Sequence, residues 1–256
     1  MFKIILSFLQ IINFYFLLRK KFKNKNCFVL GSAPHGNIKE YKEDMLLIAC
    51  NSSAKLAAIL GLKEITLTVI DSEILSNVNK PSRTLINKNK LLRGLDLGYL
   101  IQSQSNKTKL GNAEILDAKF KKLFNINNFA RSLIIKITTR QFSMYSNSDC
   151  LISTGAFAIL LCFFLGAKSV IFSGFSLYQS TEPSLSPDYF YNKFLNLELI
   201  EESRTKLPIE NKNSFTPRNH AAADVAVISS LYFRFKFLYS LDKDFSPIIN
   251  QWGYKK

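Results

Sequence analysis

The chain predicts an α/β fold: a Rossmann-like, mostly parallel sheet with helices on both faces, a lid region and an N-terminal hydrophobic helix. Three observations carry this. Apolar runs at 27–31, 46–50 and 65–70 each break into glycine or polar residues, and a helix-patterned stretch at 52–60 separates the last two. Strand, helix, strand at that spacing argues for parallel pairing. Further along, Ile152-Ser-Thr-Gly155, an apolar helix closed by Gly166, and a strand at 169–173 read as a turn, a helix and another buried strand. In open α/β sheets the turns at the carboxyl ends of strands build the ligand crevice. The segments 27–36 and 151–179 therefore suggest one site assembled from both halves of the chain.

Taken in order, residues 4–18 carry no charge and are followed by Arg19, Lys20, Lys21, Lys23 and Lys25. A bilayer span needs about 20 apolar residues, so this run is short. Ser7, Gln10 and Asn13 fall on one narrow helical stripe, which suits a helix lying in a membrane interface or packed on the domain. Residues 1–25 are read as a membrane-anchoring helix and basic hinge, spanning or in-plane, and 26–256 as the main domain. The other reading is a first helix that packs on the core. No cleavage site follows, so a removed signal peptide is not expected. If the helix spans, the positive cluster keeps the domain cytoplasmic. Residues 76–93 read as a surface connection, with short strands near 97–102 and 113–116 and a largely helical stretch at 118–146. Residues 180–218 hold four of the seven prolines. Such a stretch is too long for a plain connection and reads as a lid, a binding loop or a disordered segment. A final helix covers about 220–238.

The 256 residues carry a formal charge of +15, from 34 Lys and Arg against 19 Asp and Glu. Nucleic acid, an acidic membrane surface or an anionic substrate would each suit this balance, as would a merely solvated basic surface. No aromatic interleaving, helix-turn-helix or finger spacing supports nucleic acid. Cys27, Cys50, Cys150 and Cys162 form no C-x-x-C pair and sit in or beside apolar runs. They read as buried free thiols rather than zinc ligands.

The candidate chemistry lies at the strand ends. Gly31-Ser-Ala-Pro-His-Gly36 is neither a dinucleotide fingerprint nor a P-loop. It could still offer backbone N–H groups and the Ser32 hydroxyl to a phosphate, or be only a tight turn. Asn51 could hydrogen-bond a base or ribose; equally, it or Ser52 could cap the next helix. Asp71 closes the third strand in the same way. His35 and His220 are the only histidines. His220 and Asp224 stand four apart on a helix, where the carboxylate could fix the imidazole tautomer or be an incidental neighbour. Tyr178, Tyr189 and Tyr191 flank the lid. Their phenols could donate to a departing phosphate, or pack beneath a loop. Asp242-Lys-Asp244 has acid-x-acid spacing but follows the last helix and reads as surface.

Together these residues resemble the bacterial sialyltransferases of glycosyltransferase family 42. The resemblance rests on Gly31-Ser-Ala-Pro-His35, Cys50-Asn51, Ile152-Ser-Thr-Gly155, Leu165-Gly166, Ser173-Gly-Phe-Ser-Leu-Tyr178 and His220, in order from about residue 27 to 235. Differences from that pattern fall at Ser32, Ala33, Leu151 and Ser176, and in a His-to-Asp spacing one residue shorter. The resemblance implies an inverting, metal-independent transfer of sialic acid, or a related nonulosonic acid, from a CMP-sugar to a cell-surface glycan hydroxyl. It implies that His220 is the general base, and that Tyr178 with Tyr189 or Tyr191 stabilises the leaving CMP. It places Gly31, Ser32, Ala33, Asn51, Asp71, Ser153, Thr154, Gly155 and Gly174 around the donor. No cofactor beyond the donor is implied. The expected partners are the CMP-sugar, a glycan or glycolipid acceptor and a membrane surface met through residues 1–25, at the cytoplasmic face of the inner membrane. Nucleic acid is not expected, and a homo-oligomer is left open. The alternative is a membrane-associated Rossmann-like nucleotide-binding protein without transferase activity.

Overall fold

A computed structural model describes residues 2–32, 38–62, 64–75, 91–103, 111–140, 152–175 and 217–241, with backbone alone at 2–7, 73 and 217–222. In chain order the elements are α1 (Phe2–Phe22), β1 (Asn26–Leu30), β2 (Leu46–Cys50), α2 (Ser53–Ile59), β3 (Ile65–Asp71), α3 (Ser72–Leu75), β4 (Tyr99–Ser103), β5 (Lys122–Ile126), α4 (Asn128–Thr139), α5 (Thr154–Phe164), β6 (Ser169–Ser173), α6 (Pro217–Phe235) and β7 (Leu238–Ser240). The strands form one seven-stranded sheet in the order β5-β4-β3-β2-β1-β6-β7, and every pair is parallel.

Alternation along the strands divides the core in two. Cys27 and Val29 of β1 face a cluster with Ile48, Leu67, Ile101, Phe124, Val170 and Phe172, covered by α1, α4, α5 and α6. Phe28 and Leu30 face the other cluster, with Leu47, Ala49, Ile70 and Leu100, covered by α2, α3 and the 91–97 and 113–116 segments. Burial on both faces is why the strands read as continuous apolar runs rather than alternating ones. α5 is buried along almost its whole length. It ends at Gly166, whose φ of 90° lets the chain turn back so that Ala167 N–H reaches the Cys162 carbonyl.

Three expectations need correction. Residues 113–116 form a 3-10 turn capped by Asn112, not a strand. The 118–146 stretch opens with β5, because Leu123, Phe124 and Ile126 complete the sheet edge before Asn127 caps α4. The last helix stops at Phe235, and Leu238–Ser240 then adds β7 beside β6. A three-residue strand gives too short a period to read from sequence.

α1 is part of the main core. Ile11, Phe14, Leu18 and Phe22 are buried against β5, α4 and α5, and Phe14 meets Phe124 edge-on at 5.5 Å between centroids. Burying four such side chains contributes roughly 6–12 kcal/mol, at about 1.5–3 each. That is comparable to the whole net stability of a typical domain, about 5–15 kcal/mol. Among the described residues no helix is long and apolar enough to cross a membrane. Cys27, Cys50 and Cys162 are buried free thiols, and burial pushes the Cys50 and Cys162 thiols up.

Candidate functional site

The strand order reverses at β1, which has β2 on one side and β6 on the other. A crevice opens at the carboxyl ends of strands at such a switch point. There Gly31 N–H donates to the Ser173 carbonyl at 2.8 Å. A Cβ on Gly31 would lie 2.1 Å from the Gly174 carbonyl oxygen, and Gly174 has φ of 80°, so neither position accepts a side chain. Phe175 follows, and its ring lies 3.1 Å from where a Gly31 Cβ would stand and 2.0 Å from where a Gly155 Cβ would stand. One aromatic ring thus joins the two distant segments that the sequence singled out.

The neighbouring strand ends are tied by small polar side chains. Ser53 Oγ donates to the Leu30 carbonyl at 2.6 Å and accepts from Cys50 N–H at 2.7 Å. Ser52 Oγ donates to Ser32 Oγ, which donates to the Cys50 carbonyl. Asn51 takes the left-handed conformation, φ 52°, which asparagine tolerates better than most residues. Its Oδ1 accepts from Asp71 N–H at 3.0 Å, linking the ends of β2 and β3. Ser52 occupies the N-cap position of α2 but makes no side-chain cap.

The start of α5 completes this edge. Ser153 is its N-cap, and Ser153 Oγ accepts from Ala156 N–H at 3.1 Å. Ser153 N–H donates to Asp224 Oδ1 at 2.7 Å. Among the described residues the N–H groups of Thr154 and Gly155 have no hydrogen-bond partner. These are the orphan donors that every helix start leaves, and they suit an anion.

Beneath the turn lies a buried cation that the sequence reading missed. Arg131 of α4 is buried, its guanidinium 4.7 Å from the Phe157 ring centroid. Nη1 donates to Ser103 Oγ at 2.9 Å, at the end of β4, and Nη2 donates to the Ile152 carbonyl. Burial lowers its pKa to about 10, against the opposing pull of Asp71 and Asp224. Burial raises Asp224 to about 6, against the hydrogen bonds from Ser153 and the charge of Arg131. The signal for Arg131 was present: it shares a helical stripe with Ile134, Ile135 and Thr138, and a cation on a buried stripe needs acceptors.

The structure brings together Gly31, Ser32, Asn51, Asp71, Ser153, Thr154, Gly155 and Gly174 along this edge. His220 lies in the first turns of α6, one turn before Asp224, and is placed by backbone alone. The described hydrogen bond of Asp224 goes to Ser153. Ala33, His35, Tyr178, Tyr189, Tyr191 and nearly all of the 180–218 lid lie outside the described residues. Among those described, no cluster of three or more His, Cys, Asp or Glu is placed to hold a metal ion.

No family model matches the chain, and no curated protein matches it. Solved structures do. A variant of the sialyltransferase CST-II in complex with CMP is 16% identical with a TM-score of 0.50, over 88% of this chain and 85% of that one. The monofunctional α-2,3-sialyltransferase Cst-I from Campylobacter jejuni is 17% identical with a TM-score of 0.49, over 88% and 79%. CstII from the same organism, in complex with the substrate analogue CMP-3FNeuAc, is 15% identical with a TM-score of 0.48, over 88% and 85%. At these identities the likeness is one of fold.

Proposed function

We propose that the protein is a glycosyltransferase that moves sialic acid, or a related nonulosonic acid, from its CMP conjugate to a sugar hydroxyl, with inversion and without a metal. The observation that carries this reading is the switch-point edge, where Gly31, Asn51 and the open start of α5 converge and Asp224, one helical turn after His220, meets Ser153. The sequence motifs and the fold shared with a CMP-bound sialyltransferase support the same reading. The orphan N–H groups of Thr154 and Gly155 would hold the donor's phosphate or carboxylate, and the Asn51 amide would meet the nucleoside. His220 would take the proton from the acceptor hydroxyl as that oxygen bonds to the anomeric carbon. The bond from that carbon to the phosphate oxygen breaks, its electron pair leaves with CMP, and Tyr178 with Tyr189 or Tyr191 donates hydrogen bonds to the departing phosphate. The acceptor would be a cell-surface glycan or lipid-linked oligosaccharide, met at the cytoplasmic face of the inner membrane.

The test is thermal stabilisation by CMP against UMP and NAD, followed by CMP release from CMP-sialic acid. Stabilisation by CMP alone, and transfer that persists in EDTA, are expected. His220→Ala is expected to keep CMP binding and lose transfer, and transfer at the wild-type rate would remove His220 as the base. CMP binding with neither hydrolysis nor transfer would leave a nucleotide-binding protein instead.

A further inference from the structure

The side of α1 turned away from the core is also apolar. Phe8, Leu9, Ile12 and Phe16 are exposed, Leu9 by 57% and Phe16 by 71%. At about 100° per residue they share one sector of the helix, centred about 130° from the buried Ile11, Phe14, Leu18 and Phe22. Exposed Phe129 of α4 packs edge-on against Phe8, at 6.3 Å between centroids, and carries the face onto a second helix. Exposed Lys20 and Lys23 continue the same sector toward the end of α1. Neither α1 nor α4 contains an acidic residue. A contiguous apolar patch of this kind marks an interaction surface. Its basic border fits anionic headgroups, and it would repel the same border on a second copy.

We propose that this face docks the folded domain flat on an anionic lipid bilayer, with α1 lying in the plane of the interface. Detaching its inner face would expose Ile11, Phe14, Leu18 and Phe22 at a cost comparable to the net stability of a domain, which argues against an α1 that leaves the core to span. The geometry also sets an orientation. Asn24 N–H donates to the Gly166 carbonyl and Lys168 N–H to the Lys25 carbonyl, so α1 ends where strands β1 and β6 begin. Phe8 meets Phe129 at the start of α4, just past the end of β5. α1 therefore runs alongside the strands, and with α1 in the plane the crevice opens sideways along the bilayer surface. An acceptor displayed on that surface would enter laterally. The docking itself does not depend on the proposed activity.

The full-length protein is tested by flotation with vesicles of phosphatidylcholine alone and with phosphatidylglycerol added. Wild type is expected to float with the anionic vesicles, more weakly with neutral ones, and to be released by alkaline carbonate. Ile12→Glu/Phe16→Glu changes two exposed positions, so its melting temperature stays near wild type while its partition falls by about tenfold or more. Lys20→Glu/Lys23→Glu is expected to erase the preference for anionic vesicles. Four results would each overturn the proposal: wild type remaining in solution with anionic vesicles, resistance to carbonate, unchanged partition of the Ile12/Phe16 variant, or a wild-type dimer without lipid affinity that this variant dissociates.

Discussion

Asp224→Asn is expected to stabilise the protein at neutral pH. Burial holds the native Asp224 carboxyl at about 6, against 3.8 as the ordinary value. As pH rises through about 4, the unfolded chain loses this proton first, while the native state keeps it until about 6. Stability from this group therefore falls across that window, and the loss is complete above it. Below about 4 both states are protonated and the group contributes nothing. A difference of about two pKa units corresponds to roughly 3 kcal/mol of native-state cost at pH 7. Asparagine stays neutral, and its Oδ1 can still accept from Ser153 N–H. Urea titrations of both proteins from pH 4 to pH 8 should thus coincide at the acid end and diverge to about 3 kcal/mol in favour of the variant at the neutral end. A variant less stable than wild type at pH 7.5, or one that keeps the wild-type fall between pH 4 and pH 6, would refute the assignment of that cost to Asp224.

Two further changes probe the same edge. Arg131→Met should destabilise by about 3–5 kcal/mol, because Ser103 Oγ and the Ile152 carbonyl lose a buried charged donor. It should also move Asp224 protonation above 6, since the cation opposes that shift, and a pH series of urea midpoints reads both effects. Gly31→Ala should cost about 1–3 kcal/mol and abolish stabilisation by CMP, because the obstructing Gly174 carbonyl is backbone and cannot rotate away.

The sheet was legible because its strands are buried on both faces, and runs such as Phe28-Val-Leu30 and Ile65–Ile70 need no partner to be recognised. The edges were not. β5 carries exposed Lys122 and half-buried Asn125, so its pattern blended into the helix that follows, and β7 is too short to show a period. Of the candidate site, the glycine positions were readable because close backbone approach demands that residue. The partners of Asp224 were not, since helical spacing pointed to His220, whereas Ser153 lies 71 residues away in sequence. Arg131 likewise acts on Ser103 and Ile152, contacts that only the fold brings together.

That arrangement also divides the labour within the Ser153–Gly155 turn. The Ser153 hydroxyl accepts from Ala156 N–H, and both that hydroxyl and the Ser153 N–H serve the Asp224 carboxyl. Ser153 is therefore a scaffold, and the donors left for an anion belong to Thr154 and Gly155. The two roles separate under substitution. Ser153→Ala removes the cap and the hydroxyl's hydrogen bond to Asp224 and should cost about 1–2 kcal/mol of stability, yet it leaves both orphan donors in place. Thr154→Pro does the reverse. Proline is well tolerated at the first helical position, and Ser153, at φ −63° and ψ 162°, already has the extended conformation that a residue before proline prefers. The change deletes one anion-facing N–H with little strain. Isothermal titration with CMP and with a CMP-sugar should show Thr154→Pro losing at least about tenfold in affinity for whichever ligand anion sits on the turn, at a near-normal melting temperature. Ser153→Ala should melt earlier but bind within a few-fold of wild type. The opposite pattern, with Ser153→Ala the poorer binder, would mean that the hydroxyl leaves its cap to meet the ligand and that Asp224 holds a movable turn.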